Sequence, residues 1–229
     1  MKIFLIAIMS LICFTSTAQT ADEIVNKYVA AMGGAEKLES LKTVKMEGSM
    51  STQGIDVPLT ITKKHMVGMR LDMEIMGTSN FQLANTKAGW VYMPVMQQTE
   101  PKAMEPEQLK SIQNQFDVHG SLFNYKEKGY SVEYVGTEKV DGKDAYKLKI
   151  LRNGSNVFYF IDAVSNFVVK TSSKAMVQGQ EMDMETSFSD YKKNEEGFWF
   201  AYTNVTMQGT IVFDKISSNV PVDEKIFSN

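Results

Sequence analysis

The chain is poor in the residues that build several kinds of chemistry. It has one cysteine, two histidines, five prolines and, among 24 basic side chains, only Arg70 and Arg152 as arginines. The cysteine, Cys13, lies inside an N-terminal apolar run, so the rest of the chain can form no disulfide and no thiolate zinc site. Scarce arginine leaves few bidentate forks for phosphate, and a net charge of −3 lacks the basic surface that a nucleic-acid binder needs. Five prolines and 43% hydrophobic residues exclude long disorder. No apolar run reaches eighteen residues, and no His-Glu-x-x-His, Gly-x-Ser-x-Gly or Walker-type loop is present.

The first eighteen residues read as an export signal. Lys2 is a basic n-region, Ile3 to Phe14 an apolar core, and Ser16-Thr17-Ala18 places small residues before a cut ahead of Gln19. Leu11 and Ile12 before Cys13 do not fit a lipoprotein cut site. Cleavage removes Lys2 and no acid, taking the net charge to −4. The expected product is a soluble chain over residues 19–229, in a compartment such as the periplasm.

Residues 21–41 read as helical, with Asp22 as the candidate N-cap and Ile24, Val25, Tyr28, Val29 and Met32 on one face. Gly33-Gly34 breaks the helix, and a short turn carrying Leu38 and Leu41 follows. From Thr43 the period becomes two. Apolar residues alternate with polar ones through Val44–Met50, Val57–Ile61 and Met69–Ile75, and strands continue at Phe81, Leu83, Trp90 and Tyr92. Residues 107–117 interrupt the pattern with a helix whose stripe is Leu109, Ile112 and Phe116. Strands then resume to residue 217, with Asp141-Gly142 and Asn153-Gly154 as hairpin turns. Short links make neighbours antiparallel. The expected fold is mainly β with α: a single curved antiparallel sheet forming an unclosed half-barrel of about eleven strands, with an N-terminal helix and a mid-chain lid helix.

Candidate chemistry is thin. His65 and His119 are far apart in sequence and read as two separate surface or turn residues, so no metal and no cofactor are expected. Asp72/Glu74 and Asp183/Glu185 fall on the wet face of their strands rather than in a cleft. Methionine is abundant, sixteen in all. Met46, Met69, Met73, Met182 and Met184 sit at alternating positions and serve either as core or as an adaptable apolar pocket; a thioether copper site at Met182-Asp183-Met184 lacks a companion histidine.

Several stretches together resemble the outer-membrane lipoprotein carrier (LolA-like) superfamily, and within it the bacterial exported proteins called outer-membrane lipoprotein-sorting proteins. They are Ala21-Asp22-Glu23-Ile24-Val25 leading to Gly33-Gly34, Gly89-Trp90-Val91-Tyr92-Met93-Pro94, Gly142-Lys143-Asp144-Ala145-Tyr146-Lys147-Leu148, Tyr159-Phe160-Ile161-Asp162, Phe188-Ser189-Asp190-Tyr191 and Asn219-Val220-Pro221-Val222-Asp223. The resemblance implies an unclosed barrel whose mouth is covered by helices and whose interior takes acyl chains. It also implies partners among inner- and outer-membrane sorting proteins. The carriers have an arginine on an early inner strand that helps hold the lid. Here Arg70 is the one arginine so placed, and its parity opposes Met69 and Leu71, so that role is not carried over.

The expected function is therefore a non-enzymatic periplasmic binder or carrier of lipid or lipoprotein acyl chains, monomeric and without nucleic acid. The alternative is an envelope sensor or interaction module of the same fold. The residues expected to line the hollow are Val44, Met46, Leu59, Ile61, Met69, Leu71, Met73, Ile75, Phe81, Leu83, Trp90, Tyr92, Tyr146, Leu148, Ile150, Met182 and Met184, with Leu109, Ile112 and Phe116 on the lid.

Overall fold

The computed structural model describes residues 20–177 and 180–229; the leader expected over residues 1–18 lies outside the described residues. Two short helices open the chain, α1 (Ala21–Ala31) and α2 (Ala35–Glu39). The N-cap of α1 is Thr20, not Asp22. Thr20 Oγ1 accepts from the Glu23 amide and the Glu23 carboxylate accepts from the Thr20 amide, so two orphan donors of the first turn are satisfied reciprocally. Asp22 is freed for a different task. It accepts from the Tyr125 hydroxyl and from Lys126 Nζ, tying α1 to a segment a hundred residues away. Gly33 and Gly34 end α1 at φ +109° and +92°, a conformation that side-chain-bearing residues rarely take.

Thirteen strands follow: β1 (Thr43–Thr52), β2 (Ile55–Lys64), β3 (Gly68–Ile75), β4 (Thr78–Asn85), β5 (Gly89–Tyr92), β6 (Lys102–Ala103), β7 (Ser131–Val140), β8 (Lys143–Arg152), β9 (Ser155–Asp162), β10 (Val168–Val177), β11 (Gln180–Lys193), β12 (Trp199–Thr206) and β13 (Gly209–Ser218). Helix α3 (Pro106–Gln113) lies between β6 and β7, four residues shorter at its C-terminal end than the apolar stripe suggests. The strands form one unclosed antiparallel sheet in the order β6-β5-β4-β3-β2-β1-β13-β12-β11-β10-β9-β8-β7. The count exceeds the expected eleven, partly through two-residue β6, too short to show a period.

Every neighbouring pair is a hairpin or short link except β1–β13, which joins the two ends of the chain into one surface. That junction needs a glycine. The β1–β13 register shifts between Glu47 and Gly48, and a Cβ at Gly48 would overlap the Val212 carbonyl oxygen. Four hairpins turn on a pair of positive-φ residues: Gln53-Gly54, Met76-Gly77, Asp141-Gly142 and Asn153-Gly154. These are type I′ turns, whose twist matches that of the strands they join.

Helices and loops lie over one face of the sheet. Ile24, Val25 and Tyr28 of α1 bury against Leu148, Ile150, Ile161 and Val168. Leu41 packs with Val44, Leu59, Phe213 and Ile216. Leu109 and Ile112 of α3 pack on Met69, Ala84 and Phe116. The segment 114–130 contributes to all three clusters, through Phe116, Val118, and Leu122 with Tyr125. It is the strap that holds the cover down. The opposite, outer face is covered locally by the C-terminal 3₁₀ turn Glu224–Phe227, where Arg70 Nη1 donates to the Ile226 carbonyl at 3.3 Å.

Candidate functional site

Register decides which apolar residues can share a hollow. Across β1, β2 and β3, Met46 pairs with Ile61 and Ile61 with Leu71, while Leu59 pairs with Met73. Val44 and Met69 flank Lys63 on the same face. All of these lie on the covered face, since α3 packs on Ile61, Met69 and Leu71. Ile75 shares that face by parity. Tyr146, Leu148 and Ile150 pack against α1 on the same side. Thr171, Ser173 and Ala175 carry that face on to Thr186, Met184 and Met182, with Met184 half-buried and Met182 exposed.

Four expected lining residues are on the wrong side. Leu83 pairs with Arg70 and Phe81 with Asp72, and Trp90 and Tyr92 pair in turn with Leu83 and Phe81. Phe81, Leu83, Trp90 and Tyr92 therefore belong to the outer face. The Arg70 guanidinium lies over the Phe81 ring at 4.9 Å and bonds to Asp72 at 2.7 Å. Arg70 thus serves the C-terminal turn and its strand neighbour, as its parity requires.

On the covered face, packing is uneven. Val44, Leu59 and Phe213 are fully buried, while Met46, Met50, Ile61, Leu71, Met73, Phe200 and Ile211 are only partly covered. Two of the latter, Met46 and Phe200, also line a half-open pocket of about 210 Å³ beneath α1, α2 and the strap. The pocket is walled by Tyr28, Met32, Leu38, Leu41, Val118, Phe188, Tyr191, Phe198 and Trp199, and its polar members include His119 and Asn204. Met46 is the one expected lining residue that reaches it. The aromatic wall from β11 and β12 was missed by sequence reasoning, although Phe198, Trp199 and Phe200 form an apolar run.

The pocket wall has one unmet polar demand. Burial pushes the Tyr28 and Tyr191 hydroxyls well above the ordinary phenol range, so both stay neutral. Tyr191 donates to the Val168 carbonyl at 2.7 Å. Asn204 Oδ1 is buried with no hydrogen-bond partner. An unmatched acceptor in an apolar wall costs about 1–3 kcal/mol in the folded state.

Leu109, Ile112 and Phe116, expected on one helical stripe, pack together, but Phe116 lies beyond the end of α3. Phe116 is 3% exposed between Met69 and Ala84, with Leu109 and Ile112 partly buried beside it. A Cβ at Gly89 would stand 3.2 Å from Leu109 Cδ1, which shows how closely α3 approaches β5. Gln113 Nε2 donates to the carbonyls of Asn85 and Thr86, fixing the far end of the helix to β4. His65 and His119, expected as two separate surface or turn residues, both lie in turns but are not separate: their rings stack with centroids 3.9 Å apart, and His119 is only 9% exposed.

The unclosed antiparallel sheet with helices over one face and a partly covered apolar strip is an architecture found in solved structures. Solved structures bear this out: the fold is LolA-like. A domain from Vibrio parahaemolyticus described as an outer membrane lipoprotein-sorting protein domain matches with a TM-score of 0.54 at 15% identity, over 90% of this chain and 94% of that one. A LolA superfamily protein from Nitrosomonas europaea gives 0.57 at 13% identity, over 93% and 99%. A DUF1329 family protein from Desulfovibrio piger gives 0.59 at 14% identity, over 91% and 97%. No family model matches the sequence, and no curated protein does. Among the described residues, no helix is long and apolar enough to cross a membrane.

Proposed function

We propose that the protein is an exported, non-enzymatic binder of lipid or lipoprotein acyl chains, working in the periplasm and handing its cargo between membranes. The observation that carries this reading is the continuity of apolar surface through Met46 and Phe200. Both belong to the half-covered strip and to the pocket, so a chain laid on the strip adjoins the pocket. Each methylene buried there gains about 0.8 kcal/mol. Methionine suits the task because an unbranched thioether repacks around chains of different length.

This pocket alone, about 210 Å³, is smaller than the ~300–1,000 Å³ typical of small-molecule sites. Loading a full acyl chain therefore requires the cover to yield. Helix α3 is the part that moves: it has eight residues, none of them fully buried, and it is held mainly by Leu109, Ile112 and the Gln113 amide. In this reading the closed form is the unloaded one. Asn204 Oδ1 is matched to a donor close to the chain, such as an amide N–H or a hydroxyl of an acylated head.

Native mass spectrometry of protein purified from an exporting host tests the proposal, together with displacement of a fluorescent fatty-acyl probe. Co-purified lipid and saturable probe binding support it. A chain that carries no lipid and binds no acyl probe contradicts it.

A further inference from the structure

The only two histidines of the sequence, 65 and 119, meet beside Asp117, and together the three side chains can bring ligand atoms within 4.8 Å of one another. We propose that His65, Asp117 and His119 form a Zn²⁺-type divalent metal site that ties the strap, residues 114–130, to the β2–β3 turn. The site does not depend on the acyl-binding reading.

Three observations carry it. First, His65 Nδ1 is buried with no hydrogen-bond partner, on a side chain 24% exposed. Second, that nitrogen stands 3.7 Å from Asp117 Oδ1, too far for a hydrogen bond. Metal bonds of about 2.0–2.1 Å to each atom at a tetrahedral angle span about 3.4 Å, close to the gap observed. Third, the outer partners of a metal centre are in place. His119 Nε2 bonds to the Leu41 carbonyl at 2.9 Å; the carbonyl can only accept, so Nε2 carries the proton and Nδ1 keeps its lone pair. Asp117 Oδ1 accepts from the His119 amide at 3.1 Å, and Asp117 Oδ2 accepts from Lys128 Nζ at 2.6 Å, which is itself held by the Gly120 carbonyl.

Two features set the conditions for binding. The rings stack at 21°, which directs their in-plane lone pairs side by side, so one ring turns out of the stack when the metal enters. Lys128 neutralises the carboxylate from its far side, which lowers affinity compared with a free carboxylate.

The test is calorimetric titration of the full chain, free of any added histidine tag, with Zn²⁺ alone, followed by Co²⁺ absorption spectroscopy. The expected result is one Zn²⁺ per chain, with affinity falling at least tenfold in His65→Ala and in Asp117→Asn. Zn²⁺ should also slow amide exchange across residues 114–130. His119→Ala removes a bond to Leu41 and can unsettle the fold, so the His65 and Asp117 variants carry the test, with circular dichroism checking that they fold. Absence of Zn²⁺ binding by the wild type overturns the proposal. So does binding that survives both substitutions, or binding that leaves exchange in residues 114–130 unchanged.

Discussion

Phe227 packs directly against Gly68. A Cβ at position 68 would stand 2.7 Å from Cγ of the Phe227 ring, and Phe227 is 1% exposed although it is two residues from the C-terminus. The last turn of the chain is thus a structural part of the sheet, latched over its outer face at β3 and β4 by Phe227, by Arg70 on the Ile226 carbonyl and by Asn85 Nδ2 on the Phe227 carbonyl at 3.1 Å. Phe227→Ala is expected to lower the unfolding free energy by about 3–5 kcal/mol, measured by urea denaturation. Acyl-probe affinity should be unchanged, because the covered face is on the other side.

The parity of β4 and β5 was legible and was misjudged. A two-residue hairpin turn pairs Ile75 with Thr78, so odd-numbered residues of β3 share a face with even-numbered residues of β4. Phe81 and Leu83 must then oppose Met73 and Leu71. Their apolar character pointed the wrong way because the outer face at this point is not wet; it is roofed by Phe227, some 140 residues further along. Alternation within a strand is a local signal, whereas the cover over a face is not. The same holds for the histidines, whose approach depends on the strap crossing the β2–β3 turn. By contrast, the Gly33-Gly34 break and the Asp-Gly and Asn-Gly hairpins follow from short-range rules and appear where those rules put them.

Lys63 lies on the covered face between Val44 and Met69, and burial lowers its ammonium from the ordinary 10.5 to about 8. The unfolded chain therefore binds a proton that the folded chain has lost between these two values. Stability should rise as pH increases from about 8 to about 10.5. Lys63→Met should raise stability at pH 7 by up to about 3 kcal/mol and flatten that alkaline rise. Urea midpoints at pH 7, 9 and 10.5 for both proteins read this directly.

Asp162 holds the β9–β10 connection. Burial alone would raise its carboxyl, but the Ser165 amide at 2.7 Å, the Ser165 hydroxyl at 2.8 Å and the Val164 amide at 3.1 Å outweigh it, and the carboxyl sits below its ordinary 3.8. A lowered folded-state value stabilises above the unfolded value and is lost as pH falls through the folded one. Asp162→Asn should destabilise the protein at pH 7 and make its stability less sensitive to acid below about pH 4. Thermal unfolding from pH 7 to pH 2 checks both.

Asn204 carries an unmet acceptor in the pocket wall. Asn204→Leu should raise stability by about 1–2 kcal/mol in the free protein, since an apolar group replaces an unmatched polar one. In the acyl-binding account it should at the same time weaken an N-acylated ligand more than a plain fatty acid. Paired unfolding and probe-displacement measurements separate the two effects.

The most direct measurement is NMR of methyl-labelled methionine during titration with an acylated ligand. Met46, Met50 and Met73 lie on the partly covered strip, and Met96 is 71% exposed on the 3₁₀ turn Pro94–Met96, outside the strip. Acyl-chain uptake predicts saturable shifts and ligand-to-methyl contacts at Met46, Met50 and Met73, with Met96 unmoved. A ligand that leaves the Met46 methyl untouched while perturbing outer-face methyls would contradict it.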